Sequence, residues 1–205
     1  MMELEIKKLT IDLLDDWLNF FDNDAFSDDD EWPGCYCMHF HWNAGLDSRN
    51  SWNASLEQVY RKTGKADNRR RAIRLIKNET MQGYLAYRNG KVVGWCNTND
   101  KHKYNTVLNS FFNDADKKSK VKSVVCFTVC SKARKKGVAT KLLEKVCADA
   151  IEDGYDYLEA YPLCHNRYGI IDFQGSVSLF SKFGFEKTGK EMDESFIMRK
   201  HLTQA

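Results

Sequence analysis

Proline is almost missing from this chain: two residues in 205. No Gly/Ser-rich tract takes its place. Nothing marks a linker, so residues 1–205 read as a single domain with room for a real core. An excess of charge of either sign is missing as well. Lys and Arg total 31 against 29 Asp and Glu, a formal net charge of +2. So balanced a surface argues against nucleic acid or an anionic membrane as the main partner. Long apolar runs are absent; none approaches the roughly 20 residues of a membrane-spanning helix. The opening Met-Met-Glu-Leu-Glu-Ile-Lys-Lys-Leu lacks the apolar core of a secretory signal. The seven cysteines are odd in number, and no export signal accompanies them. They read as reduced thiols, and the compartment as cytoplasmic. What the chain has is 42% hydrophobic and 29% charged residues. That is the balance of a folded globular protein.

The stretch from Val124 to Leu143 organises the rest. It reads V-V-C-F-T-V-C-S-K-A-R-K-K-G-V-A-T-K-L-L. Val124 to Val129 is apolar and β-prone, a buried strand. Cys130 to Ala133 is a short turn. Arg134, Lys135, Lys136 and Gly137 follow. From Val138 onward, apolar residues recur at helical spacing: Val138, Leu142 and Val146, flanked by Ala139, Leu143 and Ala150. A strand therefore passes into a helix through a cationic turn containing a glycine. A helix start carries unpaired N–H groups and partial positive charge. With a glycine to allow close approach, it is a candidate phosphate site. It is neither a Walker loop, which needs G-x-x-x-x-G-K-[ST], nor a G-x-G-x-x-G dinucleotide turn.

What is present is Arg134-x-x-Gly137-x-Ala139. This resembles the acyl-CoA loop of the GNAT N-acetyltransferases, [Gln/Arg]-x-x-Gly-x-[Gly/Ala] between a strand and a helix. Near the end, Leu179-Phe180-Ser181-Lys182-Phe183-Gly184-Phe185 is similar to that family's Leu-Tyr-x-Lys-x-Gly-Phe. Taken alone, Lys132 to Lys136 is a solvated basic turn, of the kind that also passes for a nucleic-acid patch.

Pattern and spacing outline the remaining elements. Glu3 to Leu9 alternates as a strand. Thr10 is a candidate cap for a helix with Ile11, Leu14, Leu18 and Phe21 on one side and Trp17 beside them. Asn23 to Pro33 is an acidic loop. Ser51 opens a helix with Trp52, Leu56, Val59 and Tyr60 inward, ending before Gly64. Asp67 opens another, with Ile73 and Ile76 inward. Arg69 to Arg71 is a solvated face, since no aromatic residue is interleaved. Gly83 to Tyr87 and Val92 to Cys96 form a hairpin at Asn89-Gly90. Lys101 to Lys120 reads as a short helix around Tyr104, Val107, Leu108, Phe111 and Phe112, then a charged loop. After the central helix, which Gly154 stops, Tyr157 to Tyr161 is a strand. Together these make a parallel βαβ unit. Phe173 to Lys182 is a helix, and Phe185 to Thr188 with Phe196 to Arg199 is a closing antiparallel pair.

Gly34 to Trp42, G-C-Y-C-M-H-F-H-W, is the least usual segment. If extended, it sets Cys35, Cys37, His39 and His41 on one face and Tyr36, Met38, Phe40 and Trp42 on the other. Cys and His suit zinc. Four same-face residues of one strand span roughly 20 Å, too far for one tetrahedral ion, so no metal is expected. The aromatic face is expected on the core.

The element order argues for a mixed α/β fold, a central sheet covered by helices. The resemblance makes it the acyl-CoA N-acyltransferase fold. That fold has six or seven mostly antiparallel strands, a parallel βαβ core and helices on both faces. Residues 22–50 and 99–121 stand out as insertions where acceptor choice would lie. The resemblance also implies acetyl-CoA as co-substrate, an amine as acceptor, and a pantetheine arm along Phe127, Thr128 and Val129. A backbone N–H there would hold the thioester carbonyl. The pyrophosphate would rest on Lys135, Lys136, Gly137, Val138, Ala139 and Thr140, with Arg134 or Lys132 facing it. Cys37 and His39 are candidate acceptor-pocket residues.

Three positions depart from the family pattern. The family's tyrosine acid falls on Phe180, its asparagine on Phe173, and an early strand glutamate on Ser123. Substitutes are Glu159 as a base through water, and Tyr161, His165 or Tyr168 near the sulfur. An acyl-CoA-binding module without turnover, which Phe180 favours, is an alternative. A nucleic-acid or protein interaction domain using the basic turn is another. The oligomeric state is open, a homodimer included.

Overall fold

The structure, a computed structural model, describes residues 3–28, 34–41, 54–104, 118–163, 173–192 and 195–203. Its centre is a seven-stranded sheet: β1 Glu5–Lys8, β2 Gly83–Arg88, β3 Lys91–Asp100, β4 Val121–Val129, β5 Tyr157–Ala160, β6 Glu186–Met192 and β7 Ser195–His201. In space the order is β1-β2-β3-β4-β5-β7-β6. Every pairing is antiparallel except that of β4 with β5. Four α-helices accompany it among the described residues: α1 Leu14–Asn19, α2 Ala54–Lys77, α3 Val138–Glu152 and α4 Val177–Lys182. Strand alternation sends side chains to two separate cores. Leu85, Trp95 and Cys126 join α1, residues 36–40 and the end of α2 on one face. Tyr84, Cys96 and Phe127 join α3 and α4 on the other.

Local signals account for most boundaries. Asn89 and Gly90 have φ of 54° and 72°, the left-handed pair of a tight hairpin turn. Gly64 breaks α2 with φ 64° and ψ 154°, where the sequence suggests one helix ends. Helix α3 buries Val138, Leu142, Leu143, Val146 and Ala150 of the stripe its spacing predicts, leaves Ala139 half-buried, and buries Cys147 and Asp149 as well. Asp67 accepts Arg70 Nη2 and Arg71 Nε at 3.0 and 2.7 Å, and Arg69 pairs with Asp22. The three arginines are therefore each paired with an aspartate, two of them sharing Asp67, rather than left as a bare basic patch.

Other expectations are corrected. Residues 34–41 are not an extended strand. Tyr36 and Cys37 take φ of 45° and 54°, and His39–His41 is a 3₁₀ turn. The two-faced alternation is lost, and Tyr36, Cys37, Met38, Phe40 and His41 are all buried. Strand β3 runs past Cys96 to Asp100. Lys101–Lys103 is a single 3₁₀ turn. Helix α4 begins at Val177, capped by Ser176 Oγ on the Leu179 N–H, and not at Phe173. Thr10 makes no side-chain cap, and the first turn there is 3₁₀. Trp42, Ser51, Trp52, Val107, Leu108, Phe111, Phe112, His165 and Tyr168 lie outside the described residues.

Candidate active site

The site follows from a mismatch in strand length. Strands β4 and β5 pair only from Val121↔Tyr157 to Val124↔Ala160. Strand β4 then runs on to Val129, so the sheet forks. A bulge at Val125 shifts the register against β3 between Asn97↔Cys126 and Thr98↔Val124. Beyond it, the Cys130 N–H goes to Val93. By alternation, Cys126 and Thr128 direct their amides to β3, while Phe127 and Val129 direct theirs into the fork.

The fork leads to the start of α3. Gly137 precedes that helix with φ 78° and no side-chain cap. A Cβ built on Gly137 meets nothing within 4 Å. Lys135, Lys136 and Thr140 are exposed, Val138 is buried and Ala139 half-buried. Uncapped amides, open space above a left-handed glycine and two exposed ammonium groups fit a diphosphate. Gln174 follows Phe173, whose carbonyl meets the fork at the Phe127 N–H. It is buried beside the fork, and its Nε2 has no hydrogen-bond partner. A neighbouring amide-bearing chain would supply one.

Two groups expected to face the ligand are engaged by the protein itself. The Phe127 N–H donates to the Phe173 carbonyl at 2.6 Å. Arg134 reaches Val129 and Asp28.

On the α1 face of the fork lies a buried polar cluster. Tyr161 OH donates to Glu159 Oε2 at 2.9 Å and lies 2.8 Å from Ser123 Oγ. Lys101 Nζ is 2.7 Å from Glu159 Oε2. Arg199 Nε donates to Glu159 Oε1 at 2.8 Å, and Arg199 Nη2 donates to the same oxygen. These four donors fill the four lone-pair sites of a carboxylate. Glu159 has no site left for a proton from an amine, so its geometry is that of an anchor rather than a base. Burial, and then the Glu159 charge, push the Tyr161 phenol well above its usual range, so it keeps its proton.

Residues 34–41 close the same face. Cys37 meets Cys126 of β4 and Asn97 of β3. His39 packs edge-on against Phe173, ring centres 6.2 Å apart. Asn97 also meets His41 Nε2 at 3.2 Å and accepts Tyr104 OH at 2.9 Å. The structure thus brings Cys37 and His39 to the edge of β4, through turns rather than the predicted strand. Sequence reasoning missed Asn97, Lys101, Tyr104, Gln174 and Arg199. None had a usable signal in the sequence, and Arg199 comes opposite Glu159 only through the β5–β7 pairing.

The family model for the acetyltransferase (GNAT) family matches residues 46–185. The chain belongs to the GNAT acetyltransferase family. As a GNAT protein it is an N-acetyltransferase, with acetyl-CoA as the family's acyl donor. No curated protein sequence matches it. Among solved structures, it is similar to an N-acetyltransferase from Staphylococcus aureus Mu50, with TM-score 0.54, 16% identity, and 98% and 99% of the two chains covered. The PaiA N-acetyltransferase of Thermoplasma acidophilum in complex with coenzyme A gives the same figures: 0.54, 16%, 98% and 99%. A ribosomal-protein-alanine N-acetyltransferase from Brucella melitensis gives 0.54 at 18% identity, covering 97% and 99%. At such identities the likeness is one of fold, the GNAT sheet with its fork.

In GNAT terms, the position of the family's tyrosine is a packed one here. Phe180 is fully buried. A Cβ on Gly175 would lie 2.9 and 3.0 Å from its Cε2 and Cζ, so the ring is packed tightly beside Gly175 in a full core. Phe180→Tyr is expected to cost about 1–3 kcal/mol of stability by overpacking. A thermal melt several degrees lower, with no gain in turnover, is the expected result.

Acid should also weaken this GNAT fold. Burial holds His41 at about 4 despite its contact with Asn97, against an ordinary 6.5. Between those values the unfolded chain binds the proton and the folded one does not, so stability rises with pH. Going from pH 7 to 5 should remove roughly 2 kcal/mol through His41. His39, lowered to about 4 by burial, acts in the same direction. Urea melts at the two pH values check this, and His41→Gln should remove its share of the difference and leave that of His39.

Proposed function

We propose that this GNAT enzyme transfers the acetyl group of acetyl-CoA to a primary amine of a small molecule or a peptide. The observation that carries the reading is the open, amide-lined start of α3 beside the fork between β4 and β5. Acetyl-CoA supplies an acetyl group activated as a thioester. Amides from Lys135 to Thr140 would hold its diphosphate, with Lys135 and Lys136 adding charge. The fork-facing backbone of Phe127 and Val129 would hold the arm, and Thr128 stays committed to β3. For the Phe127 N–H to support the carbonyl where negative charge develops, its bond to Phe173 must be exchanged. Such a donor contributes about 3 kcal/mol to a transition state.

The amine would enter from the α1 face, past Cys37 and His39. With Glu159 saturated, no carboxylate among those described in the cluster is free to act as base. An amine that arrives neutral, held against the thioester, needs none. Tyr161 is the proton donor of the cluster, positioned by Glu159 and Ser123. It would protonate the leaving sulfur, and the proton that the amine sheds on forming the amide would restore its phenol. The dedicated insertions, 22–50 and 99–121, would choose the acceptor.

The test pairs binding with turnover. Calorimetry with CoA should give saturable heat. Release of free thiol from acetyl-CoA, followed over a panel of amines and peptide N-termini, should single out a class. Tyr161→Phe should lower turnover at least tenfold with CoA affinity kept. Heat without thiol release across the panel would make the protein a binding module, and no heat at all would sink the donor site.

A further inference from the structure

Arg134 stands beside the proposed donor site, and its guanidinium is already gripped. Its Nε donates to the Val129 carbonyl at 3.0 Å, which fixes the group at the end of β4. Its two terminal nitrogens then take both oxygens of Asp28, at 2.6 and 3.0 Å, across 106 residues of chain. A guanidinium offers the same fork to a carboxylate and to a phosphate. Asp28 lies in the turn 25–28, which follows the π-helical Phe20–Asp24. That helix is itself anchored, since Asp22 accepts from Tyr36 OH and from Arg69. The carboxylate is thus presented to Arg134 from a fixed base.

The pair does not look like a structural staple. Its side chains are 25% and 41% exposed, so solvent screens it and its share of the stability is small. The Arg134 guanidinium holds the Asp28 carboxyl below its usual range, so Asp28 is charged at any working pH. What lies next to the pair is the uncapped start of α3 and the open space over Gly137. A negative charge is therefore parked at the edge of a site shaped for a more negative one.

We propose that Asp28 is a built-in surrogate for a cofactor phosphate. It occupies the Arg134 fork until the diphosphate of acyl-CoA takes it, and so sets the affinity for the donor. The proposal rests on the acyl-CoA reading above. Displacement frees the turn 25–28, which belongs to the acceptor side of the molecule.

The experiment is calorimetry on wild type, Asp28→Asn and Asp28→Ser with two probes. One is CoA; the other is pantetheine, the same arm without phosphates. Both variants should bind CoA about three- to tenfold tighter, because the competing charge is gone. Pantetheine affinity should be unchanged. The difference should shrink as salt is raised, as screening requires. Hydrogen exchange adds a second readout: amides of 25–28 should exchange faster with CoA bound, the reverse of ordinary ligand protection. CoA affinity that is equal or weaker in both variants overturns the proposal, as does an equal gain for pantetheine. If wild type binds CoA normally, the donor reading survives that outcome. If wild type binds neither probe, the donor reading falls and takes this proposal with it.

Discussion

Replacing Glu159 by Gln should unsettle the fold before it touches the chemistry. The carboxylate is fully buried, and it holds Lys101 Nζ at 2.7 Å, Tyr161 OH at 2.9 Å and Arg199 Nε at 2.8 Å. A carboxamide keeps one acceptor oxygen and turns the other into a donor that faces donors. It also removes the negative charge that the buried Lys101 ammonium holds at contact. Breaking a buried pair from one side costs about 3–5 kcal/mol. For a chain of this size that is a fall of roughly 10 °C in melting temperature. Measured well below the melt, turnover of the folded enzyme should stay within tenfold of wild type. The opposite pattern, an unchanged melt with turnover lost a thousandfold, would restore Glu159 as the base.

Gly94→Ala should strike the donor site from beneath. Gly94 lies in β3 against the first residue of α3. A Cβ there would sit 2.6 Å from Val138 Cγ1, with Leu142 Cδ1 at 3.6 Å. Valine is stiff at χ1, so the start of α3 must move off the sheet. Overpacking of this kind costs about 1–3 kcal/mol. The larger effect is on the ligand, because the amides of Lys135 to Thr140 ride on that helix start. An ångström of displacement in groups that hold a diphosphate should weaken CoA at least about tenfold. Val138→Ala in the same chain removes the clashing methyl and should recover most of the affinity. Unchanged CoA binding in Gly94→Ala would separate the helix start from the donor site.

The legible parts of the site are those in which neighbours in sequence are neighbours in space. The passage from β4 through Arg134 and Gly137 into α3 is one continuous stretch. Its strand, turn and helix signals are all local, and the family resemblance rests on it. The hairpin at Asn89-Gly90 and the break at Gly64 are local in the same sense, each set by backbone conformations that few residues accept. Residues 34–41 show where such reading stops. Alternating apolar and polar letters are the mark of a strand, yet this segment turns at Tyr36 and Cys37. Burying nearly every side chain against the aromatic core outweighs the preference of an isolated strand.

The amino-acid order by itself determined the class of fold, the cationic turn proposed for the phosphates and the helix that opens on it, because each depends on short-range pattern. It also marked Phe180 as a residue that cannot donate a proton. Only the tertiary structure decided what Glu159 and Arg134 do. Their partners, Lys101 and Arg199 for one and Asp28 for the other, lie tens to a hundred residues away. They meet only because β4 forks from β5, β7 pairs back onto β5, and the turn at 25–28 comes down on the turn before α3. A charge is read from the sequence, but whether it is spent on substrate or on its own chain depends on which distant group the fold sets within 3 Å.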